Sequence, residues 1–472
     1  MEFKHLASGP LVRKSLCLLL AVAELYIIVW QVRTEDLSWI PMTLGLIAVF
    51  VLVMLWWPYG AFLALIAASA MPRFFVTIHG WRARPAHVVV GIVLAVAVVR
   101  LLFKKAPGGL VALDYVLILY VVLNYASSAF MSPDPSKTMR WALLNNLAVL
   151  PYFLIRLFVA HERTLHKVFK LFLAVGLAEA AYGIACFMSH QFLGTTFGEE
   201  MGQYGWIPGT YGTQYEANLF GSYSGCVAAM FLALYLFDRR RPRWYVAGFA
   251  VAFLAMALSL ARAALLGFAV PALFLFYLAH KRTRLRFRKL LPVFLVGTVL
   301  FLAILPLAGG FLAQRFGTVE LANPAADADT GARLATIVVA FEDIAHHPYL
   351  GNGTASFQLL ENPNPGLGDR PWVGNAPVRI LHDAGLAGLI TLLWFAVLLL
   401  KTVRNGLVKK DSEEYPILVA LLAGALLYAV TFLATDGTML SFTWVHVGLL
   451  MSAAMIAQAG SAPSREAPRP AS

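Results

Sequence analysis

Apolar runs of about 20 residues recur from one end of this chain to the other, a pattern that a water-soluble fold has no use for. Each run can cross a hydrocarbon layer about 30 Å thick as an α-helix, which satisfies every backbone N–H and C=O within the segment. The runs lie near residues 15–32, 39–57, 59–75, 86–103, 110–130, 140–158, 166–187, 216–237, 244–261, 262–280, 289–309, 380–402, 415–434 and 441–459, fourteen in all. Met71-Pro72 ends the third run early, so it reads equally as a re-entrant or interfacial segment. A membrane β-barrel would alternate apolar and polar residues over about ten positions, and these runs do not. Composition agrees, with 13% charged residues and a mean hydropathy of +0.72, where soluble domains carry about 25% charged residues. The expected fold is all-α: a polytopic integral membrane helical bundle of about 12–14 transmembrane helices with a large, partly helical outer loop.

The net charge of +12 is distributed as an orientation signal, which argues against nucleic-acid binding. Lys104-Lys105, Arg156 to Lys170, Arg239 to Arg243, Lys281 to Lys289 and Lys401 to Lys410 fill every second loop. The basic-poor loops 188–215, 310–378 and 435–440 alternate with them. Basic loops face the cytoplasm, so both termini are expected there. Arg73, Arg82 and Arg84 in the 72–85 loop are an exception, three arginines on the expected outer side. The first run follows Arg13-Lys14 without a small-residue cleavage site and reads as a signal anchor. Cys17, Cys186 and Cys226 lie inside apolar runs with no metal-ligand spacing, as small core residues do. The expected organisation is a cytoplasmic N-terminus (1–14), an N-terminal bundle (15–187), an outer loop (188–215), core helices (216–309), a large outer loop (310–379), C-terminal helices (380–459) and a disordered tail (460–472).

The chemistry-bearing side chains gather in and beside the outer loops. Residues 310–378 hold seven acidic residues, three arginines and no lysine. Within them Leu334, Ile337, Val338, Phe341, Ile344 and Ala345 follow helical spacing. Asp329 or Thr330 is expected to cap that helix and Pro348 to follow it. Arg333 at its start is either an anion ligand or a surface partner of Asp327 or Asp329. His347, after His346, closes the helix and meets the negative end of its dipole. Arg262 lies between two apolar runs, where a permanent charge is costly and either serves function or reaches for headgroups. Arg379, His382 and Asp383 stand at i, i+3 and i+4, hence on one helix face, with Asn375 just before them; structural pairing and catalysis are both open. Asn218 follows the smaller outer loop. Asp114, Asn145, Asn146, Glu179 and His446 lie within spans and read as interhelical ties. No Walker A loop, Cys-based metal site or Gly-x-Ser-x-Gly is present.

Three segments resemble the O-antigen ligase and polymerase superfamily of bacterial envelope glycan assembly. Leu258-Ser259-Leu260-Ala261-Arg262, with Leu266 four on, is similar to its Arg-x3-Leu segment. Arg333 followed by His347-Pro348-Tyr349-Leu350-Gly351-Asn352-Gly353 is similar to its arginine helix and Pro-x-x-Gly-x-Gly turn. Asn375 to Gly388 resembles the stretch that re-enters the membrane, and Glu216 to Gly221 an element upstream. The resemblance implies an inner-membrane, metal-independent glycosyltransferase without cofactors, its active site periplasmic. The donor would be a polyprenyl-diphosphate-linked glycan and the acceptor a glycan or lipid-linked glycan, with other polysaccharide-assembly proteins as partners. The family's diphosphate-binding arginines correspond to Arg262 and Arg333; Arg379, Asn375, His347 and Asn218 are further substrate-binding candidates. A ligase carries a histidine, its general base, just before the asparagine of the last motif. Here that position is Gly374. The departure favours a polymerase or a divergent exopolysaccharide enzyme over a ligase acting on a lipid A-core acceptor, and makes His382 with Asp383, or His347, the candidates for a relocated base. A transporter or flippase of lipid-linked sugars, and a non-catalytic assembly protein, are the alternatives.

Overall fold

The structure, a computed structural model, describes residues 58–74, 76–78, 81–103, 109–195, 199–200, 209–240, 242–283, 295, 297–299, 328–360, 372–409 and 412–459. Its helices are α1 (Pro58–Ala70), α2 (Pro85–Phe103), α3 (Ala112–Phe130), α4 (Pro135–Phe158), α5 (Glu162–Leu193), α6 (Ala217–Phe237) and α7 (Trp244–Leu258). They continue with α8 (Arg262–Gly267), α9 (Ala269–Thr283), α10 (Ala328–Ile344), α11 (Ala376–Leu407), α12 (Tyr415–Thr431) and α13 (Ser441–Ala459). Two small antiparallel hairpins interrupt them, β1 (Val76–Ile78) with β2 (Trp81–Ala83), and β3 (Glu199–Glu200) with β4 (Gly209–Thr210). The protein is an all-α polytopic membrane protein.

Among the described residues seven helical segments are long and apolar enough to cross a bilayer, and four shorter apolar helices accompany them. Together they correspond to eleven of the fourteen expected runs. Those at 15–32 and 39–57, and most of 289–309, lie outside the described residues. The expected 262–280 run is α8 joined to α9 through Phe268.

Helix α6 forms the centre of the bundle and is buried along nearly its whole length. Its small residues explain this position, because they let neighbouring helices approach closely. A Cβ on Gly225 would stand 2.7 Å from both Leu427 of α12 and Met256 of α7. Helix α11 lies at the periphery, and Ile390, Leu393, Trp394 and Val397 on its outer face are exposed where lipid would cover them.

Because successive spans run in opposite directions, the connections sort into two sets. Among the described residues, one end of the bundle carries 71–74, 131–134, 194–195, 209–216, 259–261, 345–360, 372–375 and 432–440, together with α10; the other carries 159–161, 238–240, 242–243, 408–409 and 412–414. Within the spans the isolated polar residues act as ties. Asp114 pairs with Arg156 at 3.0 Å and accepts from the Tyr152 hydroxyl at 2.7 Å, joining α3 to α4. His446 Nε2 lies 2.7 Å from the Leu421 carbonyl.

Candidate functional site

Helix α10 spans Ala328–Ile344, with Asp329 and Thr330 among its first described residues. Arg333 is the sixth residue of the helix, one turn deeper than expected. The dipole of a helix terminus fades within its first turn, so an N-terminal anion site is not what positions this guanidinium. A contact is: Arg333 Nη1 donates to the carbonyl of Ala434 in the turn between α12 and α13. The helix ends at Ile344, and His346 and His347 lie in the turn beyond it. His347 is half-buried, and its carbonyl accepts from Gly351 N at 2.8 Å. At 1.5 Å per residue, His347 lies about 20 Å along the chain from Arg333.

The turn after α10 locks into α11. Gly385 adopts φ +64° and breaks α11 there. Into that break fits the 347–353 turn: Asn352 N donates to His382 O at 2.8 Å, Gly353 N to Asp383 O at 3.1 Å, and Leu386 N to Pro348 O at 2.9 Å. The Ser127 hydroxyl of α3 bridges the two segments, donating to Asp383 O at 2.6 Å and accepting from Gly353 N at 2.9 Å. Gly385 thus ends a first segment, residues 376–384, alongside which α10 lies.

Arg379, His382 and Asp383 form one enclosed network in that first segment. Arg379 Nη1 bonds Asp383 Oδ2 at 2.8 Å, its Nε pairs with Asp436, and its Nη2 donates to Thr438 at 2.7 Å. Asp383 also accepts from Ala355 N at 2.9 Å and faces His382 Nδ1 at 3.2 Å. The other ring nitrogen, His382 Nε2, lies 2.7 Å from Asp343 of α10. Asn352 Nδ2 donates to the same Asp343 carboxylate at 3.0 Å. The His382 hydrogen bond, aided by charge, holds the Asp343 carboxyl below its ordinary range against the opposing effect of burial. The side chains of His382 and Asp383 are fully enclosed. Every nitrogen of Arg379 and of the His382 ring thus has a protein partner.

Asn375 is the N-cap of α11, accepting from Val378 N at 3.0 Å and donating to Leu433 O at 2.8 Å. Asn218 is half-buried at the start of α6, and its carbonyl accepts from Ser222. Arg262 opens α8 and is half-buried. Before it Leu260 takes φ +56°, a conformation costing about 1–2 kcal/mol outside glycine, and packs with Phe187 and Leu258. This sharp turn re-aims the chain so that Arg262 starts a new helix.

The 432–438 turn joins these pieces, and neither its residues nor Asp343 were singled out from the sequence. It accepts from Arg333 at Ala434, from Asn375 at Leu433, from Ala376 N at Phe432 and from Arg379 at Asp436, and Thr435 donates to Glu216 beside α6. From Glu216 contacts continue to Arg262, since a Cβ on Gly221 would stand 3.0 Å from Ala261 and 2.5 Å from the Ser259 hydroxyl. Arg262 and Arg333 therefore share one end of the bundle. Gly374 lies beside Arg333, with a Cβ there falling 3.5 Å from Nη1. Among the described residues no group of three or more His, Cys, Asp or Glu is placed to hold a metal ion.

Residues 247–396, from α7 to the part of α11 beyond the Gly385 break, match the O-antigen ligase family. No curated protein matches the chain. The matched stretch holds Arg262, Arg333 and the Arg379–His382–Asp383 network, but neither Asn218 nor the turn that anchors Arg333. Over this stretch, about a third of its length, the chain is similar to the O-antigen ligase family, whose name denotes glycan transfer.

Proposed function

We propose that this protein polymerises polyprenyl-diphosphate-linked oligosaccharides at the periplasmic face of the inner membrane, with Arg262 and Arg333 as the ligands of the donor diphosphate. The observation that carries this reading is the convergence of both arginines on one end of the bundle, linked through Glu216 and the 432–438 turn. A guanidinium meets phosphate oxygens bidentately and stays charged at any working pH. In the reaction an acceptor hydroxyl oxygen attacks the anomeric carbon of the donor sugar. The bond from that carbon to the diphosphate breaks, the polyprenyl diphosphate leaves, and the hydroxyl proton passes to solvent. Charge accumulates on the leaving diphosphate, and fixed cations at that position lower the barrier. In this reading arginine supplies the compensation, with no metal ion required.

His382 and Asp383 take a positioning role in this reading, because both are enclosed and hydrogen-bonded. Through Asp343 they hold α10, and with it Arg333, against the first segment of α11. Gly374 favours polymerisation over ligation, since it leaves no side chain at the position of a ligase's base. The test replaces Arg262 and Arg333 singly with alanine and follows glycan chain length and carrier-linked intermediates in cells. Repeat units are expected to accumulate on the carrier at the outer face with short or absent polymer. Normal polymer at normal protein level in both variants refutes the reading, and accumulation at the inner face replaces it with transport.

A further inference from the structure

Arg73 and Arg84 stand at the end of the bundle whose larger loops are poor in basic residues. Both frame the β1–β2 hairpin, whose pairing of Val76 with Ala83 draws its two flanks together. Each is set on a tyrosine of the 209–216 loop. The Arg73 guanidinium lies 3.8 Å from the centroid of the Tyr211 ring, and that of Arg84 lies 4.9 Å from Tyr215. Among the described residues neither arginine pairs with a carboxylate. Burial disfavours the charged form of Arg84 and only Tyr215 opposes this, so an anion arriving there would relieve a cost already present. A guanidinium set over an aromatic ring keeps donors for phosphate or carboxylate, Arg84 also hydrogen-bonding the Tyr215 side chain.

The loop beneath them is firmly held. Thr213 Oγ1 and Gln214 Nε2 each donate to Ala70 O at 2.8 Å, Arg73 N donates to Thr213 O at 3.2 Å, and Thr213 N donates to Glu179 at 2.8 Å. It also runs directly into the site described above. A Cβ on Gly209 would stand 2.9 Å from the carbonyl of Ser259, three residues before Arg262. At its other end Glu216 meets the turn that holds Arg333. Both arginines lie outside the matched stretch.

We infer that Arg73 and Arg84, on the rings of Tyr211 and Tyr215, form a second anion-binding shelf that takes the diphosphate of a second lipid-linked glycan, the acceptor. The assignment to an acceptor rests on the polymerase reading; the existence of a second diphosphate site does not. A polymerase joining two carrier-linked chains must neutralise two diphosphates at one face, and Arg262 with Arg333 serve one of them.

The experiment uses the full chain in lipid nanodiscs, titrated with farnesyl diphosphate and, in separate arms, inorganic pyrophosphate and glucuronate, with bound equivalents counted by native mass spectrometry. Wild type is expected to bind two farnesyl diphosphates. Arg73→Gln with Arg84→Gln is expected to weaken one of them by about tenfold or more, and Arg262→Ala with Arg333→Ala to weaken the other. The unliganded melting temperature of each variant reports folding. Arg73→Lys with Arg84→Lys keeps charge and stem while losing the fork, and its binding is expected to fall between the two. Two undiminished equivalents in a folded Gln variant, or unchanged binding in the Lys variant, overturn the proposal. Glucuronate binding that depends on Arg73 and Arg84, without a second diphosphate, overturns the choice of ligand. Failure of the polymerase reading shows separately, as normal polymer in the Arg262 and Arg333 variants while two equivalents are still counted.

Discussion

Replacing Asp383 with alanine is expected to destabilise the protein by about 4 kcal/mol. Its carboxylate is fully enclosed and meets Arg379 Nη1 at 2.8 Å, Ala355 N at 2.9 Å and His382 Nδ1 at 3.2 Å. Breaking one side of a buried ion pair costs about 3–5 kcal/mol. Arg379 keeps Asp436 as a second partner, which argues for the lower end. The stranded Ala355 N–H adds about 1–3 kcal/mol. Asp383→Asn keeps an acceptor for that N–H and loses the charge alone, so its cost is about 1–2 kcal/mol smaller. The assay is equilibrium or thermal unfolding of purified protein in detergent, with polymer formation measured on the same preparations. A positioning role predicts that stability and activity fall together, and that Asn recovers part of both. Alanine and asparagine variants within about 1 kcal/mol of wild type refute the assignment of Asp383 as the junction of α10, α11 and the 432–438 turn. Wild-type stability with no polymer returns the His382–Asp383 pair to a direct part in proton transfer.

Two further outcomes follow from the same geometry. Gly385→Ala is expected to cost about 3 kcal/mol or more and to be visible as a lowered melting temperature, because its Cβ would lie 2.4 Å from the Tyr349 carbonyl at φ +64°. Asp343 carries the pH dependence: its carboxyl is held below the ordinary range chiefly by the His382 hydrogen bond. The stability it contributes is present above the unfolded value of about 4 and is lost as pH falls through the lower folded value. The difference in melting temperature between wild type and Asp343→Asn is therefore expected to be constant from pH 8 to about 5 and to vanish in acid below about pH 4; a difference that instead disappears near pH 6.5 refutes this origin.

What could be read from the sequence follows the range over which each signal acts. The spans were legible because hydrocarbon demands contiguous apolar residues, and eleven of the expected runs return as helices. The pairing of Arg379 with Asp383 was legible because helical spacing alone brings i and i+4 together. The break at Gly385 was not, since it exists only where a turn some 35 residues upstream is inserted. Asn375 was noticed as a substrate ligand, although an asparagine before Ala376-Pro377 is also an N-cap signature, and capping is what the structure shows. Asp436 sits in a short Thr-Asp-Gly-Thr connection that resembles any turn, and its partner Arg379 is distant in sequence. The arginines of the 72–85 loop were legible as an anomaly, but only the contacts with Tyr211 and Tyr215 give that anomaly a form.

The matched domain is not a self-sufficient site. It ends at residue 396, yet the groups that fix Arg333, Asn375 and Arg379 come from residues 432–438, and those that link to Arg262 come from the start of α6. A short turn that accepts hydrogen bonds from α10 and α11 and donates one to the edge of α6 couples their positions, because moving any one of them strands a buried polar group. The polar end of the bundle thus behaves as one unit whose parts are dispersed along the chain. For the proposed polymerase the consequence is preorganisation: Arg333 is held by the fold before a substrate arrives, and its ordering is not charged against binding.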